Sequence, residues 1–245
     1  MRYLILSDIH ANVEALEAVL ESSKSESVEQ VLVLGDLVGY GGGPNEVVDR
    51  VRSIANRVIR GNHDKVVAQF DGGENFNAVA LAAARWTADA LSEKNMEYLR
   101  NLDKGPVEIE RGVILCHGSP LDEDEYVMSL ETAQGVFEQS SERLAFFGHT
   151  HLPMVFVSGE ANVHGAALEG EDFTIGLEPG SRYLVNPGSV GQPRDRNPLA
   201  AYVIFDSERQ EVRWRRCEYS LEQAQRRILE AGLPQILAYR LAAGI

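Results

Sequence analysis

The chain is poor in several of the things that direct a fold or a location. Only two of its 245 residues are cysteine, Cys116 and Cys217, too few for a disulfide framework. Cys116 ends an apolar run and is expected as a buried thiol, neither a ligand nor half of a bridge. That usage fits a reducing compartment. No apolar run approaches the roughly eighteen residues a membrane helix needs, and the chain enters a strand-like Tyr3-Leu4-Ile5-Leu6 without a signal-peptide pattern. A cytoplasmic protein with no membrane partner is expected. Positive charge is also scarce: 23 Lys and Arg against 37 Asp and Glu give a formal charge of −14, with a pI near 4.9. Nucleic-acid affinity is built largely from cationic contacts to phosphate, so nonspecific nucleic-acid binding is not expected. The acidic run Asp122-Glu123-Asp124-Glu125 reads as a solvated loop face. No internal repeat or low-complexity stretch is present.

Histidine, by contrast, is concentrated. Five of the six occur in short polar segments that follow apolar runs: Asp8-Ile9-His10, Gly61-Asn62-His63-Asp64, Cys116-His117-Gly118 and Gly148-His149-Thr150-His151. Gly35-Asp36 is a fifth such segment. The preceding runs, Tyr3–Leu6, Val31–Leu34, Arg57–Ile59, Val113–Leu115 and Leu144–Phe147, read as strands. Ligands in α/β sheets bind outside the carboxyl ends of the strands, so all five segments could meet in one crevice. Taken singly, most are ordinary turns or helix caps. His149 and His151 stand out, because residues two apart in extended chain point the same way. Independent turns have no reason to carry metal-ligand chemistry after nearly every apolar run, and imidazoles with carboxylates and an amide suit two transition-metal ions.

The remaining pattern organises the chain. A helix over 12–24 carries Val13, Leu16, Val19 and Leu20 at helical spacing, and Pro44 suits the first position of another with Val47, Val48, Val51 and Ile54. This β-α-β-α-β opening predicts a parallel core. Residues 76–102 read as two helices, the second capped by Ser92; 107–110 and 113–116 as a hairpin about Arg111-Gly112; and 130–140 as a helix. Short strands after His151 predict a largely antiparallel second sheet, with 159–172 as a flexible hairpin tip bearing His164. Ser220-Leu221-Glu222-Gln223 resembles a capping box opening a helix to Gly232, and Pro234 opens the last one. This pair, 220–242, is expected to cover the core or an edge, with a homodimer contact as the alternative.

The ordered set D-x-H, G-D, G-N-H-D, H-G and G-H-T-H resembles the calcineurin-like metallophosphoesterase superfamily over residues 1 to about 205. Gly35-Asp36-Leu37-Val38-Gly39-Tyr40-Gly41 and Asn186-Pro187-Gly188-Ser189-Val190-Gly191-Gln192-Pro193-Arg194 are similar to its small bacterial phosphodiesterase-like branch. The resemblance implies an α/β (α+β) four-layer αββα sandwich of two mixed sheets flanked by helices, as a single domain over 1–245. It also implies two divalent transition-metal ions, manganese foremost, with Fe, Zn, Ni or Co suited to the same donors. Asp8, His10, Asp36 and His151 would hold one ion and Asp36, Asn62, His117 and His149 the other. A bridging Asp36 would help keep them about 3.5–4 Å apart. The implied reaction is hydrolysis of a small phosphodiester, or of a phosphomonoester or dinucleoside polyphosphate, by metal-activated hydroxide. His63 would contact phosphate and protonate the leaving oxygen, its ring oriented by Asp64.

The chain departs from the family at the second motif. Many protein-phosphatase-like members read G-D-x-x-D-R, where the Arg grips phosphate; here Gly39-Tyr40 occupies the last two positions. A substitute is expected from Arg194 or Arg196, or from the Tyr40 hydroxyl, and with less cationic compensation a diester is the expected preference. The acidic balance does not oppose a small phosphate ester, since two divalent ions would invert the local field. Protein phosphatase-like or nuclease activity is one alternative, and a noncatalytic metal-binding scaffold another. Loss of ligands marks the scaffold class, whereas here every one is present.

Overall fold

A computed structural model of the protein describes residues 1–159 and 162–245. Its first half follows the predicted alternation: β1 (Arg2–Leu6), α1 (Val13–Ser22), β2 (Gln30–Val33), α2 (Pro44–Ile54), β3 (Arg57–Val58), α3 (Asn62–Val67), α4 (Ala78–Ala90) and α5 (Glu93–Arg100). β1, β2 and β3 pair in parallel. Asn12 Oδ1 caps α1 by accepting from the Ala15 amide at 3.1 Å, and Ser92 Oγ caps α5. β1 is apolar from Tyr3 to Leu6 because both of its faces are covered there. Leu4 and Leu6 pack against Leu16, Val19, Val47 and Val51 of the helices, while Tyr3 and Ile5 face the other sheet.

The second half supplies β4 (Val107–Glu110), β5 (Val113–Leu115), α6 (Leu130–Gln139), β6 (Leu144–Phe146), β7 (Pro153–Ser158), β8 (Val163–Ala167), β9 (Asp172–Gly176), β10 (Arg182–Pro187), β11 (Ala200–Asp206), β12 (Glu211–Cys217), α7 (Leu221–Glu230) and α8 (Gln235–Ala243). Two six-stranded mixed sheets result, ordered β3-β2-β1-β11-β12-β9 and β4-β5-β6-β10-β7-β8. Leu115, Phe146 and Val185 of one meet Ile5, Leu34, Val203 and Phe205 of the other, and α6 covers the outer face of the second through Ala133, Val136 and Phe137. The layers are helix, sheet, sheet, helix.

Three expectations are corrected here. The strands after His151 do not form a sheet of their own. β11, β12 and β9 extend the first sheet from the open edge of β1, while β10, β7 and β8 extend the second from β6. Strand patterning shows which residues are buried but not which open edge a strand completes. Second, 163–167 is a paired strand and not part of a loop tip: His164 lies opposite Val157 in the β7–β8 pair. Within the expected tip, residues 160 and 161 lie outside the described residues. Third, Ser220 precedes α7 without a side-chain cap hydrogen bond. The last two helices do cover the core, with Ile228, Leu237 and Leu241 packing beside Tyr40, Ala80 and Ala83.

Candidate metal centre

The motif loops continue the β1–β2 ladder beyond the strands. Leu34 N donates to Leu6 O at 2.8 Å, Asp8 N to Gly35 O at 3.1 Å, His10 N to Asp36 O at 2.9 Å and Ala11 N to Leu37 O at 2.8 Å. This zipper holds residues in conformations they would not choose. Asp8, His10, Asp36, His149 and His151 have φ of 53°, 49°, 52°, 66° and 60°, a left-handed region that costs a non-glycine residue about 1–3 kcal/mol at such sites. Glycine is required where the loops cross: a Cβ on Gly61 would lie 2.1 Å from Asp36 Oδ1.

All seven expected ligand residues converge. Asp8, His10, Asp36 and His151 form one cluster and Asp36, His117 and His149 a second, their donor atoms within 4.8 Å of one another in each. Asn62 Oδ1 lies 3.1 Å from His117 Nε2 and joins the second. Backbone carbonyls set three of the imidazoles: His10 Nδ1 is 3.0 Å from Val38 O, His117 Nδ1 2.8 Å from Leu34 O and His151 Nδ1 2.6 Å from Gln192 O. A carbonyl can only accept, so each Nδ1 carries a proton and, in the neutral ring, each Nε2 directs a lone pair inward. Those lone pairs face other acceptors. His10 and His151 Nε2 are 3.1 Å apart, and His151 Nε2 is 3.3 Å from Asp8 Oδ1, which has no hydrogen-bond partner. His149 Nε2 is likewise buried without one. A convergence of acceptors repels itself unless cations sit among them, so the residues fit divalent metal ions. Asp36 Oδ2 is 3.6 Å from His10 Nε2 and 3.5 Å from His117 Nε2, between the two clusters.

The electrostatics carry the same demand for positive charge. Burial opposes a proton on His117, but the charge and hydrogen bond of Asp36 outweigh it and push the ring up to about 10. Burial likewise opposes the charge on Asp36, yet His117 and His63 hold that carboxyl well below its ordinary value. Burial raises Asp8 to about 6 and lowers His149 to about 3. Two loops are then locked by the end of β10 and the segment after it: Asn186 Nδ2 donates to Gly148 O and Thr150 Oγ1 at 2.8 and 3.0 Å, and Ser189 Oγ to Asp8 O at 2.8 Å.

His63 stands beside the clusters, its ring 4.9 Å from that of His10 and 4.4 Å from that of Tyr40. Burial lowers it to about 4. Its Nδ1 is buried without a partner, leaving Nε2 as the nitrogen that can reach a substrate. Asp64 does not orient it, contrary to expectation. One Asp64 oxygen accepts from the Leu37 and Val38 amides at 3.0 and 3.3 Å and the other from the Gly61 amide at 3.0 Å. Asp64 lies inside the first turn of α3, too close in sequence to swing back to the His63 ring, and ties that helix to the Gly35-Asp36 loop.

A cleft of about 150 Å³ opens over the centre, lined by Asp36, Asn62, His63, His149 and His151 together with Tyr40, Arg194 and Arg240. Arg194 is thus at the site. Arg196 is not among the lining residues; its backbone amide bonds Gly244 O at 2.8 Å. Arg240 was missed because α8 reads only as a covering helix and nothing in its local sequence signals a cleft. Tyr126 was missed too, its ring centre 3.8 Å from that of His149 and tilted 32° to it. The acidic run before it is only partly a solvated face: Asp122 and Asp124 are exposed, but Glu123 pairs with Arg60 and Lys65 at 3.1 and 3.6 Å, and Asp124 with Lys65. An adjoining hollow of about 360 Å³ is walled partly by Val66, Phe76 and Tyr126.

Two stacked mixed sheets whose strand-end loops gather a shared carboxylate, imidazoles and a cationic cleft define a metal-dependent phosphoric ester hydrolase. The chain belongs to the calcineurin-like phosphoesterase superfamily, whose domain model matches residues 1–210. A protein of Methanocaldococcus jannaschii is 36% identical over 98% of this chain and 97% of its own length. The phosphodiesterase YfcE of Escherichia coli is 25% identical over 85% of this chain and 89% of its own. The crystal structure of a metallophosphoesterase from Sphaerobacter thermophilus matches with a TM-score of 0.87 at 39% identity, covering 100% of this chain and 99% of that one.

Proposed function

We propose that the protein is a dinuclear-metal phosphoesterase of the cytoplasm, acting first on small phosphodiesters and, by the same chemistry, on phosphomonoesters or dinucleoside polyphosphates. The observation that carries this reading is Asp36 Oδ2, set 3.6 and 3.5 Å from the inward nitrogens of His10 and His117, one in each donor cluster. Asp8, His10, Asp36 and His151 would hold one ion and Asp36, Asn62, His117 and His149 the other, with manganese the first choice. When bound, such ions lower the pKa of water and neutralise charge developing on phosphoryl oxygens.

The chain's own residues supply the rest. The Val38, Leu34 and Gln192 carbonyls hold the ligand rings in one tautomer, so no reorientation is needed on binding. His63 presents Nε2 to the phosphoryl group, donates a hydrogen bond there and passes its proton to the leaving oxygen. The free ring is neutral near pH 7, and the negative charge of the substrate is what favours protonating it. Arg194 supplies the fixed positive charge that the second motif lacks, and the hollow beside Phe76 and Tyr126 receives the organic part of the ester. That the Escherichia coli relative is a phosphodiesterase favours the diester.

Elemental analysis of the manganese-loaded protein should find two ions. Asp36→Asn should lose both together, whereas His10→Ala and His117→Ala should each lose mainly one. Hydrolysis of bis-p-nitrophenyl phosphate should stop with a chelator and return with Mn²⁺. Two fully occupied ions in Asp36→Asn would overturn the bridging assignment.

A further inference from the structure

Two arginines line the cleft, and among the described residues no Asp or Glu side chain neutralises either. Arg194 comes from the loop after β10 and Arg240 from the last turn of α8, and each guanidinium carbon lies 5.8 Å from the centre of the Tyr40 ring. Arg194 Nη2 donates to Gln192 Oε1 at 3.1 Å and Arg240 Nε to a backbone oxygen of Ile245; among the described residues neither pairs with an Asp or Glu side chain. Arg194 Nε is buried without a partner. Elsewhere arginines are neutralised, as in Arg60–Glu123, Arg213–Glu26, Arg216–Asp195 and Arg227–Glu14. In a chain with 37 acidic against 23 basic residues, two partly desolvated guanidiniums that meet no Asp or Glu side chain in one cleft favour an anion there.

Arg240 has an ordinary role as well, since a cation in the last turn of a helix interacts favourably with the carbonyl end. That role uses Nε. Nη1 and Nη2 have no protein partner among the described residues, and the side chain lines the same cleft as Asp36 and His63. The two arginines also lie at different depths. The Arg194 amide donates to His151 O at 3.3 Å, and the Arg194 charge acts on Asp8, His10, His63, His149 and His151, whereas that of Arg240 acts on Tyr40, whose ring is 4.7 Å from that of His10. A phosphoryl group at the ligands therefore meets Arg194, and Arg240 remains for a second anionic group farther out.

We propose that Arg240 determines specificity, selecting phosphodiesters that carry a second anionic group, a terminal phosphate, beside the scissile one. This rests on the hydrolytic reading above and narrows its substrate class. Guanidinium suits the task, because it presents several donors in a plane to phosphate oxygens.

The test compares two diesters with one leaving group, the p-nitrophenyl ester of thymidine 5′-phosphate with and without a 3′-phosphate, on the manganese-loaded protein. Wild type should favour the 3′-phosphorylated ester in kcat/KM by roughly tenfold or more, the span of a charge-assisted hydrogen bond. In Arg240→Gln that ratio should fall to about one, and Arg240→Lys should keep part of it. The wild-type ratio should also shrink as salt is raised. A wild-type ratio near one, or a ratio unchanged in Arg240→Gln, overturns the proposal while leaving the hydrolytic reading in place. No turnover of either ester overturns the hydrolytic reading and this proposal with it.

Discussion

At the scale of single residues, the site is a matter of which ring nitrogen carries a proton. His10, His117 and His151 each give Nδ1 to a backbone carbonyl and so turn Nε2 inward as a ligand. His63 has no such acceptor, and its Nδ1 is buried alone. That difference separates these three ligands from His63, whose ring is left free to exchange a proton with substrate. His63→Ala or His63→Asn should therefore keep its metal but lose roughly 10²–10⁴-fold in turnover, the usual span for a lost general acid. The loss should be smaller for a p-nitrophenyl than for an alkyl leaving group, because a good leaving group needs less protonation. Equal losses would leave phosphate contact as the sole role of His63.

At the scale of elements, the site depends on how closely two loops approach. Gly39, in the loop after β2, has φ of 87°, and a Cβ there would lie 2.4 Å from His63 Nδ1 at the start of α3. Gly39→Ala should displace the His63 ring while sparing Asp8, His10 and Asp36, which hang on the β1–β2 zipper, and His117, His149 and His151, which come from other loops. The expected outcome is full metal content by elemental analysis with turnover reduced about as far as in His63→Ala. Normal turnover with the ring unmoved in a crystal structure of the variant would show that the loop yields instead.

At the scale of the whole molecule, the excess of acid is partly built into structure. Glu123 joins Arg60, Lys65 and Lys104 at 3.1, 3.6 and 3.6 Å and pins the loop that carries Tyr126 against α3. Burial opposes its charge, but Arg60, then Lys65 and Lys104, hold the carboxyl below its ordinary value. A depressed folded pKa means that the stabilisation is fully present above the unfolded carboxylate pKa and is lost as pH falls through the folded one. Glu123→Gln should thus lower stability by about 1 kcal/mol near pH 7, a modest figure because the network is partly solvated. The gap in Tm between wild type and variant should close in acid. A gap independent of pH would mean that packing, not charge, sets it.

Much of this protein was legible without coordinates, for a physical reason. A strand buried on both faces must be apolar along its length, and a ligand loop must follow it with polar, turn-forming residues, so Tyr3–Leu6 before Asp8 and His10, or Val31–Leu34 before Asp36, announce themselves locally. The helices at Pro44 and Ser92 are legible for the same reason, because first-turn and capping requirements fall on a single residue. What lay beyond local pattern was every partnership across the chain. Whether β11 closes on β1 or β10 on β6 depends on which edges are open once both sheets exist. Asp64 sits where an orienting partner for His63 would be sought, yet the neighbouring loop offers it two amides and the start of its own helix a third, and those take its oxygens. Arg240, 204 positions after Asp36 in sequence, reaches the same cleft only because the buried face of α8 is docked beside Tyr40. The sequence by itself determined the donors and the strand ends that carry them, since both are set by neighbours along the chain. Tertiary structure alone decided the edges, the orientation of each ring and the second arginine, since these are set by packing between segments far apart in it.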